Sequence, residues 1–579
     1  MPFHLIALSL LLVSTPQAST DAWPAIVADF EAYERREDPY TAGSEGDIDA
    51  LGRLPEITPE ADARRRAALE AFTQRLAALD ATALADGDAF NHAFLTWLVD
   101  DRLGALAFDP ARLAFLSEGG ETTNLAYQAR TTRVAAKADI EAWVSRLEAT
   151  PRLIRENLAN ARRGLATGFT QPRSVVESAL ALARAEVALT PADDPLMLPL
   201  ASLPSSVSDV DAAALRDRAR ALVTGPIAGA RQEWLRMLED EYLPKARPGL
   251  GIGSIPEARP YYEYLTRSYT TTSMTPDDVH AVGVAEVARI RAEMQQVMKD
   301  ADFQGTFPEF LHWLRTDARF YAKTRPELME KASEIAKRAD GQLPRLFNRS
   351  LPRLTYGVIE VPREIEDQYT TGRYSPGSLT NGVAGNYLVN TGKLDQRPLY
   401  ELPALTLHEA MPGHHLQIAI AQEAGDQPWF RRNTYVTAFG EGWGLYSEFL
   451  GIEMGIYRDP YEQFGRLSYE MWRACRLVAD TGIHWKGWTI EQARACFAEN
   501  SALAPHNIET ELQRYISWPG QALAYKVGEL KFKELRAKAE RTLGDRFDVR
   551  AFHDMLLVDG ALPLAMLDQR VDAWIASFR

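Results

Sequence analysis

The chain has 579 residues, with 64 Lys and Arg against 79 Asp and Glu and a formal charge of −15. One core rarely grows beyond about 250–300 residues, so at least two lobes are expected. An apolar fraction of 46% and a charged fraction of 25% exclude wholesale disorder, collagen and a coiled-coil rod. The acidic balance, with no basic stripe, argues against nucleic acid, whose phosphates are met by Lys and Arg.

Residues 1–18, MPFHLIALSLLLVSTPQA, contain an apolar run from Leu5 to Val13, of signal-peptide length and short of the roughly 20 residues a membrane span needs. Small and polar residues follow, so a signal peptide over 1–18 and export to the periplasm or medium are expected. No Lys or Arg precedes the run, and no cysteine follows it to carry a lipid anchor. No later stretch reaches 18 unbroken apolar residues, so no stable membrane insertion is expected after cleavage.

Residues 19–245 read as an N-terminal helical lobe. Thr58-Pro59-Glu60 is a helix start, with an N-cap hydroxyl followed by proline. Leu69, Phe72, Leu76 and Leu79 form one buried stripe, and similar stripes run through 137–167 and 174–190. A Gly/Pro-rich passage from Pro244 to Pro260 marks the boundary with a second lobe, 246–579, which opens on the capped helix start Thr275-Pro276-Asp277-Asp278. Within it only Leu354–Val361 and Gly385–Thr391 look extended, and helical spacing returns from Pro398. The expected fold is mainly α, two-lobed, with a small sheet beside the chemistry.

Three of the ten histidines fall within His408-Glu409-Ala410-Met411-Pro412-Gly413-His414-His415. In the zinc-peptidase pattern HExxH, two histidines four apart share a helix face and one metal, and the intervening Glu serves as base. Here position four is Pro412, and His414 lies six residues on, about 120° off the face of His408 on an unbroken helix. Pro412 and Gly413 break that helix, and a bulge there would return His414 to the metal. His415 remains the other candidate for second ligand.

The third ligand is expected from Phe439-Gly440-Glu441-Gly442-Trp443-Gly444-Leu445-Tyr446-Ser447-Glu448, with Glu441 on the metal and Glu448, seven residues on and on the same side, orienting a ligand histidine. Tyr515 and Tyr525 are candidate donors to an oxyanion, Tyr525 preferred. Asp480 and His484, four apart, read as a local contact more readily than as a second metal pair. Arg373 and Tyr374, on a Gly/Pro-containing loop, are candidates to hold a peptide carboxylate. Two cysteines, Cys475 and Cys496, are too few for a disulfide scaffold and lack CxxC spacing; the sequence leaves their pairing open.

HEAMPGHHLQ, EGWGLYSE and WPGQALAYKVG, with YYEYLTRSYTTTSMTPDDVHAVG upstream, resemble a large bacterial family labelled as a domain of unknown function, whose members are similar to gluzincin metallopeptidases. More remotely, Gly413-His414 and the Glu441–Glu448 stretch resemble thimet oligopeptidase and the thermostable carboxypeptidases. The resemblance implies a helical cleft protein with Zn²⁺ between its lobes. It also implies that Gly385–Thr391, with Asn386 and Tyr387, is an edge strand pairing with extended peptide, and that Tyr525 polarises the substrate. The expected function is a zinc-dependent peptidase acting on short peptides, with Glu409 as general base. An inactive, binding relative and a metal-dependent hydrolase of other amides or esters are the alternatives.

Overall fold

The computed structural model describes residues 22–578, except 350, 364, 367, 368, 380, 381 and 426. The expected signal segment, 1–18, lies outside the described residues. The chain is mainly helical, with one small sheet. The helix starts follow their caps: Thr58 accepts from the Ala61 amide with Pro59 in the first turn, and Thr275 and Asp278 form a reciprocal capping box. The stripe through Leu69, Phe72, Leu76 and Leu79 is buried.

The main apolar cluster runs from Trp23 to Ile575 and draws on both sides of the boundary expected at 245/246. Phe30 and Phe94, for example, both pack on Phe430. A smaller cluster around Trp143 gathers residues between Leu54 and Ile227.

At the centre lies the helix Pro460–His484, buried continuously from Phe464 to His484. It carries Arg466, Glu470, Arg473, Arg476 and Asp480 into the interior, each matched by a partner on a neighbouring element. Asp480 accepts from the Tyr262 hydroxyl and the Gly520 amide, whereas His484 accepts from the Ile252 amide and donates to the Tyr515 carbonyl. Both side chains tie the helix to other elements and not to each other, so the expected local contact gives way to two separate core contacts. Cys475, on this helix, is disulfide-bonded to Cys496 on the helix Ile490–Asn500.

The sheet comprises β1 (Tyr356–Glu360), β2 (Gly372–Ser375) and β3 (Gly385–Val389) in the order β1-β3-β2. β3 runs parallel to β1, with Tyr356 opposite Gly385, and antiparallel to β2, with Tyr374 opposite Tyr387. The expected edge strand is therefore the central one, hydrogen-bonded on both sides. Its buried face, Gly385, Tyr387 and Val389, turns inward, and the Tyr387 hydroxyl meets Thr406 Oγ1 at 3.3 Å on the helix Leu402–Glu409. β2, expected as loop, is the edge beside that helix.

Two fully buried imidazoles give the fold an acid limit. His553 donates from Nδ1 to the Leu346 carbonyl and accepts from Tyr446 at Nε2, so its neutral form is fully used, as is that of His484. Burial pushes both pKa values down to about 3. An unfolded histidine protonates near 6.5, so the stability these rings favour is present above about pH 6.5 and is lost as pH falls towards 3. The urea midpoint should drop between about pH 7 and 4.5, and His553→Gln should flatten that slope.

Candidate metal centre

The helix Leu402–Glu409 ends on the two residues that matter, His408 and Glu409. Ala410 leaves the helical region, Met411–Pro412 is a cis peptide, and a new helix, His414–Gln422, starts directly after Gly413. The expected bulge within one helix is thus a turn between two helices. The turn folds back so tightly that a Cβ on Gly413 would stand 1.9 Å from the His408 carbonyl oxygen. Only glycine permits that approach. The two imidazoles finish with ring centroids 4.7 Å apart and planes 88° apart.

Glu441 comes from the helix Thr437–Glu453. Its Oε2 lies 3.4 Å from His408 Nε2 and 3.5 Å from His414 Nε2, and the three ligand atoms lie within 4.8 Å of one another. Bonds of about 2.0–2.1 Å in a tetrahedron place ligand atoms about 3.4 Å apart, so the carboxylate-to-imidazole separations already suit one divalent ion. The donor set, two neutral imidazoles and a carboxylate, suits a borderline metal such as zinc. Of the described residues, this is the one group of three or more His, Cys, Asp and Glu so arranged.

The same helix secures the ligands. Glu448 Oε1 accepts from His408 Nδ1 at 2.8 Å, which fixes the tautomer and leaves Nε2 for an ion. Trp443 Nε1 donates to the Pro412 carbonyl at 2.8 Å and pins the turn. At Gly444 a Cβ would meet the His408 ring at 2.6–2.9 Å, so glycine clears room for the ligand. Arg473 Nη2 lies 3.5 Å from Glu448 Oε1. His414 differs from His408, since its buried Nδ1 has no hydrogen-bond partner among the described residues.

Electrostatics tie the acids to the imidazoles. Burial works to lower the His408 pKa, but hydrogen bonds to Glu441 and Glu448 and the charges of Glu409 and Glu448 outweigh it and raise it to about 9. Burial likewise opposes ionisation of Glu441, yet His414 and His408 hold its carboxyl well below the usual range. Glu409 is 8% exposed, and its Oε2 accepts the Tyr374 amide of β2 at 2.7 Å.

The other expected residues divide. His415 is not in the cluster: its Nδ1 meets the Tyr374 hydroxyl at 2.8 Å, it packs on Tyr356, and burial lowers its pKa to about 4, so it stays neutral. Tyr525 is half-buried, its ring under Arg476 at 4.1 Å. Tyr515 is buried in the core, its hydroxyl held by Trp472, Arg476 and Glu511. Tyr387 is fully buried behind the sheet, and Asn386 bonds back to Ala384. None of these last three reaches the ligand cluster. Arg373 is about half exposed and faces Glu118 at 3.9 Å. Sequence reasoning missed the Tyr374 amide and Arg473. A backbone amide leaves no side-chain signature, but an arginine on a buried stripe was there to be weighed.

A family model described as a bacterial protein of unknown function, DUF885, matches residues 39–571. The chain belongs to this family. No curated protein matches it. The fold is similar to a crystal structure described as "the putative lipoprotein from Colwellia psychrerythraea", at 26% identity and a TM-score of 0.89 over 96% of this chain and 99% of that one. A second, "a putative lipoprotein of unknown function from Shewanella oneidensis", aligns at 18% identity and a TM-score of 0.70 over 94% and 99%.

Gly444→Ala isolates the role of the third-ligand helix. It should gain up to about 1 kcal/mol of helix propensity yet force the His408 ring aside. Affinity for added zinc, measured against a competing chelator, should fall at least tenfold, while the urea midpoint stays level or drops, because displacing the buried ring offsets the gain in propensity.

Proposed function

We propose that this DUF885 protein is a zinc-dependent peptidase of short peptides. The observation that carries the reading is the convergence of His408, His414 and Glu441 beside a carboxylate, Glu409, that ligates nothing and is aimed by a strand amide. A scaffold needs no such acid. When bound, zinc would polarise a carbonyl and bring the pKa of a water to about 7.

The chain's own groups supply the rest. The Tyr374 amide holds Glu409 Oε2, so Glu409 is fixed in place to take the proton of the attacking water and deliver it to the leaving amine. Glu448 keeps His408 Nδ1 protonated and its Nε2 turned to the ion. β2 ends beside Glu409 and gives its outward Tyr374 amide to that carboxylate, so its part is to aim the base. Export fits the signal-like residues 1–18, the Cys475–Cys496 disulfide and the lipoprotein description of both structural relatives. No helix among the described residues is long and apolar enough to cross a membrane.

The test begins with metal analysis and a mixed peptide library read by mass spectrometry. Wild type should hold one zinc and cleave; Glu409→Gln should keep zinc and lose at least about 10²-fold in kcat; His408→Ala should lose both. Chelation should abolish cleavage and added zinc restore it. Equal zinc in wild type and His408→Ala, or cleavage surviving chelation, would refute the reading.

A further inference from the structure

Just ahead of the Glu441 helix the backbone is extended at Thr434 and Val436. Val436 is buried, but Tyr435 between them keeps 51% of its surface exposed. Its ring does not project freely into solvent. It lies across the first turn of the helix, where a Cβ on Gly440 would stand 2.4 Å from the hydroxyl oxygen and 2.6 Å from Cζ. Glycine at 440 therefore lets the phenol lie flat against the turn that presents Glu441. The hydroxyl comes within hydrogen-bonding reach of the Glu441 carboxylate, and Glu409 and Tyr525 are its other close electrostatic neighbours.

This placement distinguishes Tyr435 from the donor expected on sequence grounds. Tyr525 has its ring clamped under Arg476, and its hydroxyl accepts a long contact from Gln521 Nε2 at 3.5 Å. Tyr435 combines an exposed side, from which a substrate can approach, with a hydroxyl beside Glu441 and within the electrostatic reach of Glu409. A phenol kept only for packing needs no such contact, since phenylalanine would cover the turn equally well.

Resting on the peptidase reading, we propose that Tyr435 is a further catalytic residue, whose phenol donates a hydrogen bond to the carbonyl oxygen of the scissile amide as that oxygen becomes negative. Water attacks the carbonyl carbon, its proton passes to Glu409, and the carbonyl π pair moves onto the oxygen. Tyr435 keeps its proton throughout, and its hydrogen bond strengthens as the charge grows. The C–N bond then breaks, its electron pair leaves with nitrogen, and Glu409 returns the proton to the amine. A neutral donor aimed at the developing charge stabilises the transition state more than the ground state.

The experiment uses the zinc-loaded full chain, a reporter peptide selected from the library, and a phosphinic peptide of the same sequence, whose tetrahedral anionic centre resembles the charged species. Tyr435→Phe should keep its zinc, hold KM within about twofold, and lose about 10²–10³-fold in kcat. Its affinity for the phosphinic peptide should fall in parallel, while in a Glu409→Gln background the intact reporter should bind with unchanged affinity. Gly440→Ala, which keeps the phenol but displaces it, should lower kcat at least tenfold. The assignment is overturned if Tyr435→Phe retains kcat within threefold, if it loses zinc in proportion to activity, or if Tyr525→Phe suffers the larger loss. Those results leave the peptidase reading standing where wild type cleaves and Glu409→Gln does not. A wild type that neither holds zinc nor cleaves any peptide defeats both.

Discussion

Three carboxylates crowd two imidazoles in a dry corner of this protein, and the local architecture answers that constraint. Glu409, Glu448 and the largely buried Glu441 stand together where isolated charges are costly to keep, and removing one partner from a buried pair costs about 3–5 kcal/mol. Cations must therefore sit among them. Arg473 supplies one, at 3.5 Å from Glu448. His408 supplies another by holding a proton, which is why its pKa climbs to about 9 against the effect of burial. A divalent ion displacing that proton would bring the three acids, the arginine and the ion to neutrality. The surplus of negative charge favours a cation in this corner, and the spacing of Nε2, Nε2 and Oε2 suits one.

The central helix obeys the same rule on a larger scale. Arg466, Glu470, Arg473, Arg476 and Asp480 recur at spacings of three and four, a pattern that on an ordinary helix marks the solvated face. Here the face is buried, and each charge is a cross-link: Glu470 to Lys526, Arg476 to Glu511, Arg473 to Glu448. Such pairs add little net stability over well-packed apolar residues, but a mispaired arrangement would leave a charge stranded. Through Arg473 and Glu448 the network reaches His408, the proposed metal ligand, so the register of the core and the aim of His408 are coupled.

What the sequence made legible follows from this. Caps and stripes are local patterns, set by spacing along one helix, and they could be read from spacing; His408, His414 and Glu441 lie on three helices and were picked out by residue type and by the resemblance, against the spacing. The sheet could not be read in either way. β2 is four residues between Thr-Thr and Pro-Gly-Ser, with the composition of a turn, and it is a strand because β3 and the Glu409 carboxylate satisfy its backbone. β3 has a clear strand pattern, but strand order is a property of the assembled sheet, so its central position was hidden. Tyr515 was misplaced for a related reason: a tyrosine beside a conspicuous motif looks available until Trp472, Arg476 and Glu511 close on its hydroxyl. The turn at 410–413 lies between these cases, since proline and glycine announced a break but not that a second helix would begin at once.

That second helix changes how the ligand geometry is determined. In a continuous helix the pitch fixes two histidines four apart, and two extra residues would ruin the site. Here the two histidines belong to different helices, and their relation depends on how the intervening turn is held. Its own bonds do not suffice, because Ala410 and Gly413 lie outside the helical region and the turn is short. The helix carrying Glu441 does the holding, with Trp443 on the Pro412 carbonyl, Gly444 against the His408 ring and Glu448 on His408 Nδ1. One rigid element therefore supplies the third ligand and acts as the template on which the other two are registered. The turn that carries the two-residue departure from HExxH is held by EGWGLYSE, so the two motifs pack as one unit, and a change in either reaches the His408, His414 and Glu441 group through the other.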